Sequence, residues 1–419
     1  MEKYNFKENF QIINPYSMFL AGMFLYILFP IIYWKIKISF PLSICILYGR
    51  IPFYYAGDLL DKLLLAIFLG IIGIIIGYKF NAANKIADKL PKFINVDKKW
   101  ATRLSISFFA IGVLAYLIII FMRGNIKSIL NMSFEEKFQS PNLLYPYVAI
   151  LSRFSEAGLF LLISINDKKH KLSKFFALII TLMLVHFIGG VRIDFIRIVL
   201  LIAGFYLFYI KKLRVKFFVS SFLIIFMIFY LIVWGAIRHK TIPVDESKFL
   251  NEYFIIDKSD FPMLIDNFLL ILDNVPNQIP FQHGSTYARL FYLFIPRFVW
   301  QNKPIDMGTW ITMNLRGESN SLTSATATNF GEMYLNFGYI GIILGSYILG
   351  FLLKIFVIYY KFQQNSKNSM GICVSLILSF LLFEQWRGSF GYTFLIYFVL
   401  LLPFIIIYLK KDGIIFKYI

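Results

Sequence analysis

Residues 104–122 read LSISFFAIGVLAYLIIIFM, with no charged side chain between Arg103 and Arg123. A helix of about 20 apolar residues spans the hydrocarbon core of a bilayer. Comparable apolar runs recur along the chain at roughly 15–34, 63–78, 104–122, 144–165, 175–190, 195–210, 217–237, 328–353, 370–385 and 391–409. The pattern predicts an all-α, polytopic membrane helix bundle with about ten transmembrane helices.

The composition agrees with a membrane protein. Of the 419 residues, 59% are apolar and 16% are charged, and the mean hydropathy is +0.70. Soluble globular proteins contain about 45–50% apolar and about 25% charged residues. A soluble enzyme, a disordered protein and a single-pass receptor are therefore excluded. Since no small-residue cleavage site follows the first apolar run, we expect no cleavable signal peptide.

The net charge of +19 comes from Lys and Arg residues that fall in short bursts between the apolar runs. This arrangement is typical of membrane topology, so we expect no nucleic-acid partner. The density of basic residues is more than twofold higher in the loops that are cytoplasmic if both termini lie inside. The short loops 168–174 (KKHKLSK) and 211–216 (KKLRVK) carry the strongest signal.

This orientation divides the chain into an N-terminal transmembrane bundle at 1–237, a large extracytoplasmic loop at 238–327 and C-terminal transmembrane helices at 328–419. Within the loop, apolar residues at helical spacing in 260–273 predict an amphipathic helix on the membrane or on the bundle. A second helix is predicted to start at Ser285. The run 38–56 is interrupted by Pro and Gly, and we interpret it as re-entrant or surface-lying.

Arginines dominate the charged residues near the predicted outer ends of the spans. The planar guanidinium binds phosphate oxygens in a bidentate manner, so these side chains are candidate ligands of a diphosphate. The candidates are Arg192, Arg297, Arg387, Arg289 and Arg316. For Arg192, the alternative is an interfacial arginine that reaches phospholipid phosphates.

Two side chains are candidate proton acceptors for a hydroxyl group, Glu332 and His283. The alternative for Glu332 is a carboxylate favoured by a helix dipole. Within the spans, Arg153 and Glu156 lie three residues apart, and an ion pair between them is at least as plausible as a substrate contact. Asp194 and Arg197 have the same spacing.

Several other chemistries find no sequence support. The chain has no GxxxxGK[ST], HExxH, CxxC or GxSxG motif, and Cys45 and Cys373 lie far apart in apolar surroundings. We therefore expect no metal, no cofactor and no disulfide framework.

Four stretches resemble the membrane-embedded oligosaccharide repeat unit polymerases, the Wzy family of O-antigen and capsule assembly. They are GSTYARLFYLFIPRFVWQNKP at 284–304, NFGEMYLNFGYIGIILG at 329–345, GGVRIDFIRIVLL at 189–201 and WRGSFGYTF at 386–394. The number of spans, the single large outer loop and the basic inner loops are similar to that family as well.

The resemblance implies a glycosyltransferase of the cytoplasmic (inner) membrane whose active face points outward, into the periplasm. It would join undecaprenyl-diphosphate-linked oligosaccharides into O-antigen or capsule by metal-independent transfer. The implied partners are membrane lipids, a flippase and a chain-length-regulating co-polymerase.

Two other functions stay open at this point. An O-antigen ligase shares the architecture and the lipid donor but uses another acceptor. A flippase or transporter of lipid-linked oligosaccharide is also basic and multi-span, although a moving cavity is expected to place charges in several spans. The large outer loop favours the polymerase over the flippase.

Overall fold

The computed structural model describes residues 13–29, 31, 56–93, 96–124, 129, 144–165, 171–189, 192–209, 215, 218–219, 222, 260–292, 295, 299–317 and 326–411. Over these residues all regular structure is helical, which confirms the all-α class. The helices are α1 Pro15–Met23, α2 Ala56–Lys79, α3 Ala82–Ala87, α4 Lys98–Met122, α5 Tyr145–Ser152, α6 Phe154–Ser164, α7 Lys171–Met183, α8 Arg192–Tyr209, α9 Asp260–Asn274, α10 Ser285–Tyr292, α11 Met307–Asn314, α12 Asn329–Ser366, α13 Ser369–Glu384 and α14 Phe390–Lys411.

Seven helical segments in the described part of the chain are long and apolar enough to cross a bilayer. They are Asp58–Lys79, Lys98–Met122, Tyr145–Ser164, Lys171–Gly189, Asn329–Ser366, Ser369–Arg387 and Phe390–Lys410. The polytopic class is thus confirmed, whereas the count of about ten stays a prediction. The run at 15–34 forms a shorter helix at Pro15–Leu28. The runs at 38–56 and 217–237 lie almost wholly outside the described residues.

Close backbone contact holds α2 against α12. A Cβ added at Gly77 would lie 1.9 Å from the Tyr347 carbonyl oxygen, and one at Gly350 would lie 2.1 Å from the Ile74 carbonyl oxygen. Small residues let membrane helices approach this closely, and van der Waals packing then stabilises the pair. These contacts fix α12, and with it the start of the C-terminal region.

The helix α12 is broken near its start. Phe337 (φ −143°, ψ 16°) and Gly338 (φ 63°, ψ −150°) leave the helical region. The Ser346 hydroxyl lies 3.9 Å from the Met333 sulfur, although a straight helix would separate these residues by about 20 Å. Residues 329–336 therefore form a short helix that folds back on the long one. We name it the half-helix; the predicted span at 328–353 thus begins only after it.

Loop residues hold the break. The backbone N–H groups of Gln282 and His283 donate to the carbonyls of Leu335 and Asn336. The Asn336 side chain accepts from the Gly284 N–H at 2.9 Å and donates to the Thr286 hydroxyl at 2.8 Å. These bonds satisfy backbone groups that the helix break leaves free, and they join the half-helix to the start of α10.

The predicted amphipathic helix is confirmed as α9, and it lies on the bundle. Leu264, Ile265, Phe268 and Leu269 are buried, and α9 packs against α2 and α12. Nearby, the buried Trp386 ring contacts Phe330 of the half-helix at a centroid distance of 5.3 Å. Helix α9 is therefore packed against the other helices at this end of the structure.

Candidate functional site

The Glu332 carboxylate lies at the junction of the half-helix and α14. Its side chain is 1% exposed, and its Oε2 accepts a hydrogen bond of 2.9 Å from the Phe390 N–H. The Ser389 N–H and the Thr286 hydroxyl are further donors to this carboxylate. An anion is favoured at a helix N-terminus, so Glu332 also stabilises the first turn of α14.

A small pocket opens beside Glu332. It is lined by Thr286, Arg289, Asp306, Met307, Glu332, Ser389, Gly391 and Tyr392. Its open volume holds about one water molecule, so a sugar can enter only if the lining side chains move. Four separate elements contribute: α10, the start of α11, the half-helix and the start of α14. The structure thereby places the predicted residues Glu332 and Arg289 in one pocket.

An ion pair forms one wall of this pocket. Arg289 Nη1 lies 3.2 Å from Asp306 Oδ1, and about a quarter of each side chain is exposed. Asp306 also caps α11, because its side chain accepts from the Thr309 hydroxyl at 2.6 Å and from the Thr309 N–H at 3.3 Å. The cap fixes Asp306, which in turn holds the Arg289 guanidinium at the pocket.

Tyr287 connects α10 to α14. Its ring contacts the Phe390 ring edge to face at a centroid distance of 5.6 Å. Burial raises the pKa of the Tyr287 phenol well above its ordinary value, and the nearby Glu332 carboxylate raises this pKa further. Tyr287 is therefore a neutral phenol next to the pocket at every physiological pH.

Three other predicted site residues lie near this end of the bundle without lining the pocket. His283 is exposed and has a left-handed backbone (φ 46°) in the loop that holds the half-helix. The Arg316 guanidinium donates two hydrogen bonds, of 3.0 and 2.6 Å, to the Asn267 side chain. Arg387 is half-buried in the turn after α13.

The side chains of the other two candidate arginines, Arg192 and Arg297, lie outside the described part of the structure. Arg192 begins α8, whereas Arg297 as a whole lies outside the described residues. The expected convergence of Arg192, Arg297 and Arg387 thus stays a prediction.

A network of buried charges lies within the helices, on α8, the end of α13 and the α5–α6 junction. Arg153 Nη1 lies 2.9 Å from Glu156 Oε1 and 2.5 Å from Asp194 Oδ2. Arg197 Nη2 lies 2.8 Å from both Glu156 and Asp194, and its Nη1 lies 3.1 Å from Glu384. We name these five residues the buried ion network. The two ion pairs that the sequence spacing suggested, Arg153–Glu156 and Asp194–Arg197, are both present and contact each other.

The buried ion network lies close to the pocket, because Tyr392 lines the pocket and interacts electrostatically with Arg153, Asp194 and Arg197. Arg197 is fully buried, with its guanidinium over the Tyr397 ring at 5.7 Å. Because each guanidinium already has at least two carboxylate partners, neither is available to bind a substrate phosphate.

The pocket contains residues that the sequence did not single out, chiefly Asp306 and Tyr392. Asp306 had one local signal, because Asp is among the residues preferred at a helix N-cap. Tyr392 had none, since it is one aromatic residue in an apolar run. No group of three His, Cys, Asp or Glu side chains with metal-binding geometry occurs in the part of the chain that the structure describes.

Comparison with known proteins supplies a family. The model of the O-antigen polysaccharide polymerase Wzy family matches residues 3–417, nearly the whole chain. No solved structure matches the chain.

Proposed function

The chain belongs to the O-antigen polysaccharide polymerase Wzy family, and from this premise we propose its reaction. It joins undecaprenyl-diphosphate-linked oligosaccharide repeat units into O-antigen or capsule polysaccharide. The growing glycan is transferred from its lipid diphosphate to the non-reducing sugar of a new lipid-linked unit. The observation that carries this proposal is the pocket in which the Glu332 carboxylate and the Arg289 guanidinium lie together.

The reaction releases a proton from the acceptor hydroxyl and develops negative charge on the diphosphate. Glu332 is suited to accept the proton, and Arg289 is suited to stabilise the negative charge. The bond between the sugar C1 and the diphosphate oxygen breaks, and its electron pair leaves with the diphosphate. The acceptor hydroxyl oxygen forms the new bond to C1, and its proton passes to a carboxylate, for which Glu332 is the candidate. Arg289 stabilises the negative charge that develops on the diphosphate.

Arginines take the role of the phosphate ligand in this proposal, and no metal ion is required. Arg289 lies at the pocket, and Asp306 fixes its position. On the sequence argument, the diphosphate site is completed by Arg192, Arg297, Arg387 and Arg316. His283 is the second candidate base, because the half-helix that carries Glu332 is bonded to its backbone.

The pocket is assigned to the outer face of the cytoplasmic membrane. It is built at the start of α12 and α14, and the distribution of Lys and Arg predicts that both of these ends face outward. In the proposed division of the chain, the large loop at 238–327 supplies α10 and α11, and the region 328–419 supplies the half-helix and α14. A flippase would deliver the substrate to this face, and a co-polymerase would set the chain length.

A reconstituted assay tests the function. The purified full chain in proteoliposomes receives only lipid-linked repeat units, extracted from a strain that lacks this gene, with empty liposomes as the control. We expect a ladder of lipid-linked polymers on a gel. Product that forms only when lipid A core is added would identify a ligase instead. Translocation without any new linkage would identify a flippase, and either result would overturn the proposal.

A further inference from the structure

The Asn336 side chain is enclosed between the half-helix and the start of α10. It is 0% exposed and does not line the pocket. Its Oδ1 accepts a hydrogen bond of 2.9 Å from the Gly284 N–H, and its Nδ2 donates to the Thr286 hydroxyl at 2.8 Å. Nδ2 also donates to the Glu332 backbone carbonyl at 2.8 Å. The amide therefore uses its acceptor oxygen and both of its N–H donors.

The partners fix the orientation of this amide. The Gly284 N–H can only donate, so it must face the amide oxygen. The Glu332 carbonyl can only accept, so it must face the amide nitrogen. A flipped Asn336 amide would leave both of these contacts without a hydrogen bond in a buried place, which is costly. Asn336 is therefore a rigid link with one arrangement.

This link joins the two elements that carry the opposite charges of the pocket. Glu332 lies four residues before Asn336 in the half-helix, and Arg289 lies three residues after Thr286 in α10. At these spacings the residues of each pair share a helix face. Glu332, Thr286 and Arg289 all line the pocket. The Asn336 amide is therefore bonded to both sides of the pocket from behind.

Each charged group also has a partner on a third element. The Glu332 carboxylate accepts from the Phe390 N–H on α14 at 2.9 Å. The Arg289 guanidinium lies 3.2 Å from Asp306, at the start of α11. These contacts hold the two groups separately, whereas the Asn336 side chain connects the half-helix directly to α10.

We propose that Asn336 is a positioning residue for the glycosyl transfer, and that it sets the place of Glu332 relative to the Arg289 side of the pocket. The inference rests on the proposed function and deepens it. The transfer needs the acceptor hydroxyl at the carboxylate while the diphosphate is held at the guanidinium. A misplacement of about 1 Å in such an arrangement lowers a rate about 100-fold. Asn336 thus contributes to kcat without touching the substrate.

The first test compares N336A with the wild-type chain in proteoliposomes that contain the extracted lipid-linked repeat unit. N336A removes the side-chain bonds to Gly284, Thr286 and the Glu332 carbonyl. The backbone bonds that the loop donates to Leu335 and to residue 336 itself do not need this side chain, so we expect the helix break to persist. We expect kcat to fall about 100-fold with little change in KM.

N336D is measured beside N336A as a milder change. The Asp carboxylate keeps an acceptor for the Gly284 N–H but cannot donate to Thr286 or to the Glu332 carbonyl. We expect kcat to fall again while KM changes little. Wild-type kcat in either folded variant would overturn the role of Asn336.

The matched control is N368A, just beyond the far end of α12. Asn368 also accepts from a glycine N–H, that of Gly371 at 3.0 Å, and its Nδ2 donates to the Phe93 carbonyl. It does not line the pocket. We expect N368A to lower the thermal unfolding temperature and to leave kcat unchanged. A loss of kcat as large as that of N336A would show that lost stability alone explains the effect.

A double-mutant cycle with E332Q separates positioning from a merely structural role. If Asn336 acts through Glu332, N336A lowers kcat no further in the E332Q background, because the group that it positions no longer accepts a proton. Equal losses of kcat in both backgrounds would contradict positioning. E332Q with wild-type kcat would also overturn it and leave the polymerase function intact. Wild-type protein that forms no polymer would instead overturn the proposed function itself.

Discussion

The Glu332 carboxylate accepts a hydrogen bond of 2.9 Å from the backbone N–H of Phe390, which lies 58 residues later in the chain. This bond joins the half-helix to the first turn of α14 and places the carboxylate at the edge of the pocket. Glu332 thus has a structural partner and a position suited to chemistry. The two roles can be separated by substitution.

Replacement of Glu332 separates them. E332Q keeps the size and one acceptor oxygen for α14 but cannot take a proton. If Glu332 is the base, we expect polymer formation to fall by about 10²–10⁴-fold with a small loss of thermal stability. E332A should additionally lower the unfolding temperature, because it leaves the α14 N–H groups without their acceptor. If E332Q makes normal polymer chains, a residue other than Glu332 is the base.

Arg289 is expected to act mainly on the transition state. R289A should lower kcat/KM about 100-fold, and R289K should recover part of this loss because it keeps the charge without the fork. R103A is the matched control, since Arg103 is an exposed arginine in α4 that does not line the pocket. Equal activity of R289A and R103A in the reconstituted assay would show that Arg289 has no role in the reaction.

The buried ion network should govern stability. R197M removes the cation that pairs with Glu384 and leaves Glu156 and Asp194 with Arg153 alone. Breaking a buried pair on one side costs about 3–5 kcal/mol, so we expect a large fall in the unfolding temperature in detergent. R103M, at an exposed position, should change it little. Similar unfolding temperatures for the two variants would contradict the burial of Arg197.

Gly388 should tolerate no side chain. It has φ 93°, and an added Cβ would lie 2.1 Å from the Ala327 carbonyl oxygen, just before the half-helix. G388A is expected to cost more than the about 1–3 kcal/mol of backbone strain alone, and to lower activity by moving Glu332. G124A is the control, because Gly124 has φ 94° and nothing within 4 Å of its Cβ position. Equal unfolding temperatures would argue against the contact with Ala327.

Cysteine labelling checks the orientation. Gln301 and Lys85 are both exposed. Gln301 lies five residues before Asp306, which lines the pocket, and Lys85 lies in α3. After both native cysteines are replaced by Ala, Q301C should react with a membrane-impermeant maleimide in intact spheroplasts. K85C should react only after permeabilisation. The opposite pattern would place the pocket on the cytoplasmic side.

The sequence predicted the helical bundle because an apolar run of spanning length has few other stable structures in a membrane. It also predicted α9, whose apolar residues repeat at helical spacing, and the start of α10 at Ser285. The pairs Arg153–Glu156 and Asp194–Arg197 were visible for the same local reason, since residues three apart share a helix face.

Non-local contacts explain what the sequence did not reveal. Glu384 joins the buried ion network through Arg197, which lies 187 residues earlier, and no local pattern indicates this pairing. The break at Phe337 depends on backbone bonds from Gln282 and His283, which an apolar run cannot indicate. The pocket likewise forms only where four segments meet.

The buried ion network has a consequence for how the nascent chain enters the membrane. Each isolated Arg or Asp at the centre of an inserting helix costs about 2.5–3.5 kcal/mol. Arg153 and Glu156 leave the ribosome before Asp194 and Arg197, and these four form an electrically neutral quartet. The quartet is complete long before Glu384 is synthesised. The hairpin of α13 and α14 is inserted later, and Glu384 therefore packs against a quartet whose charges are already paired.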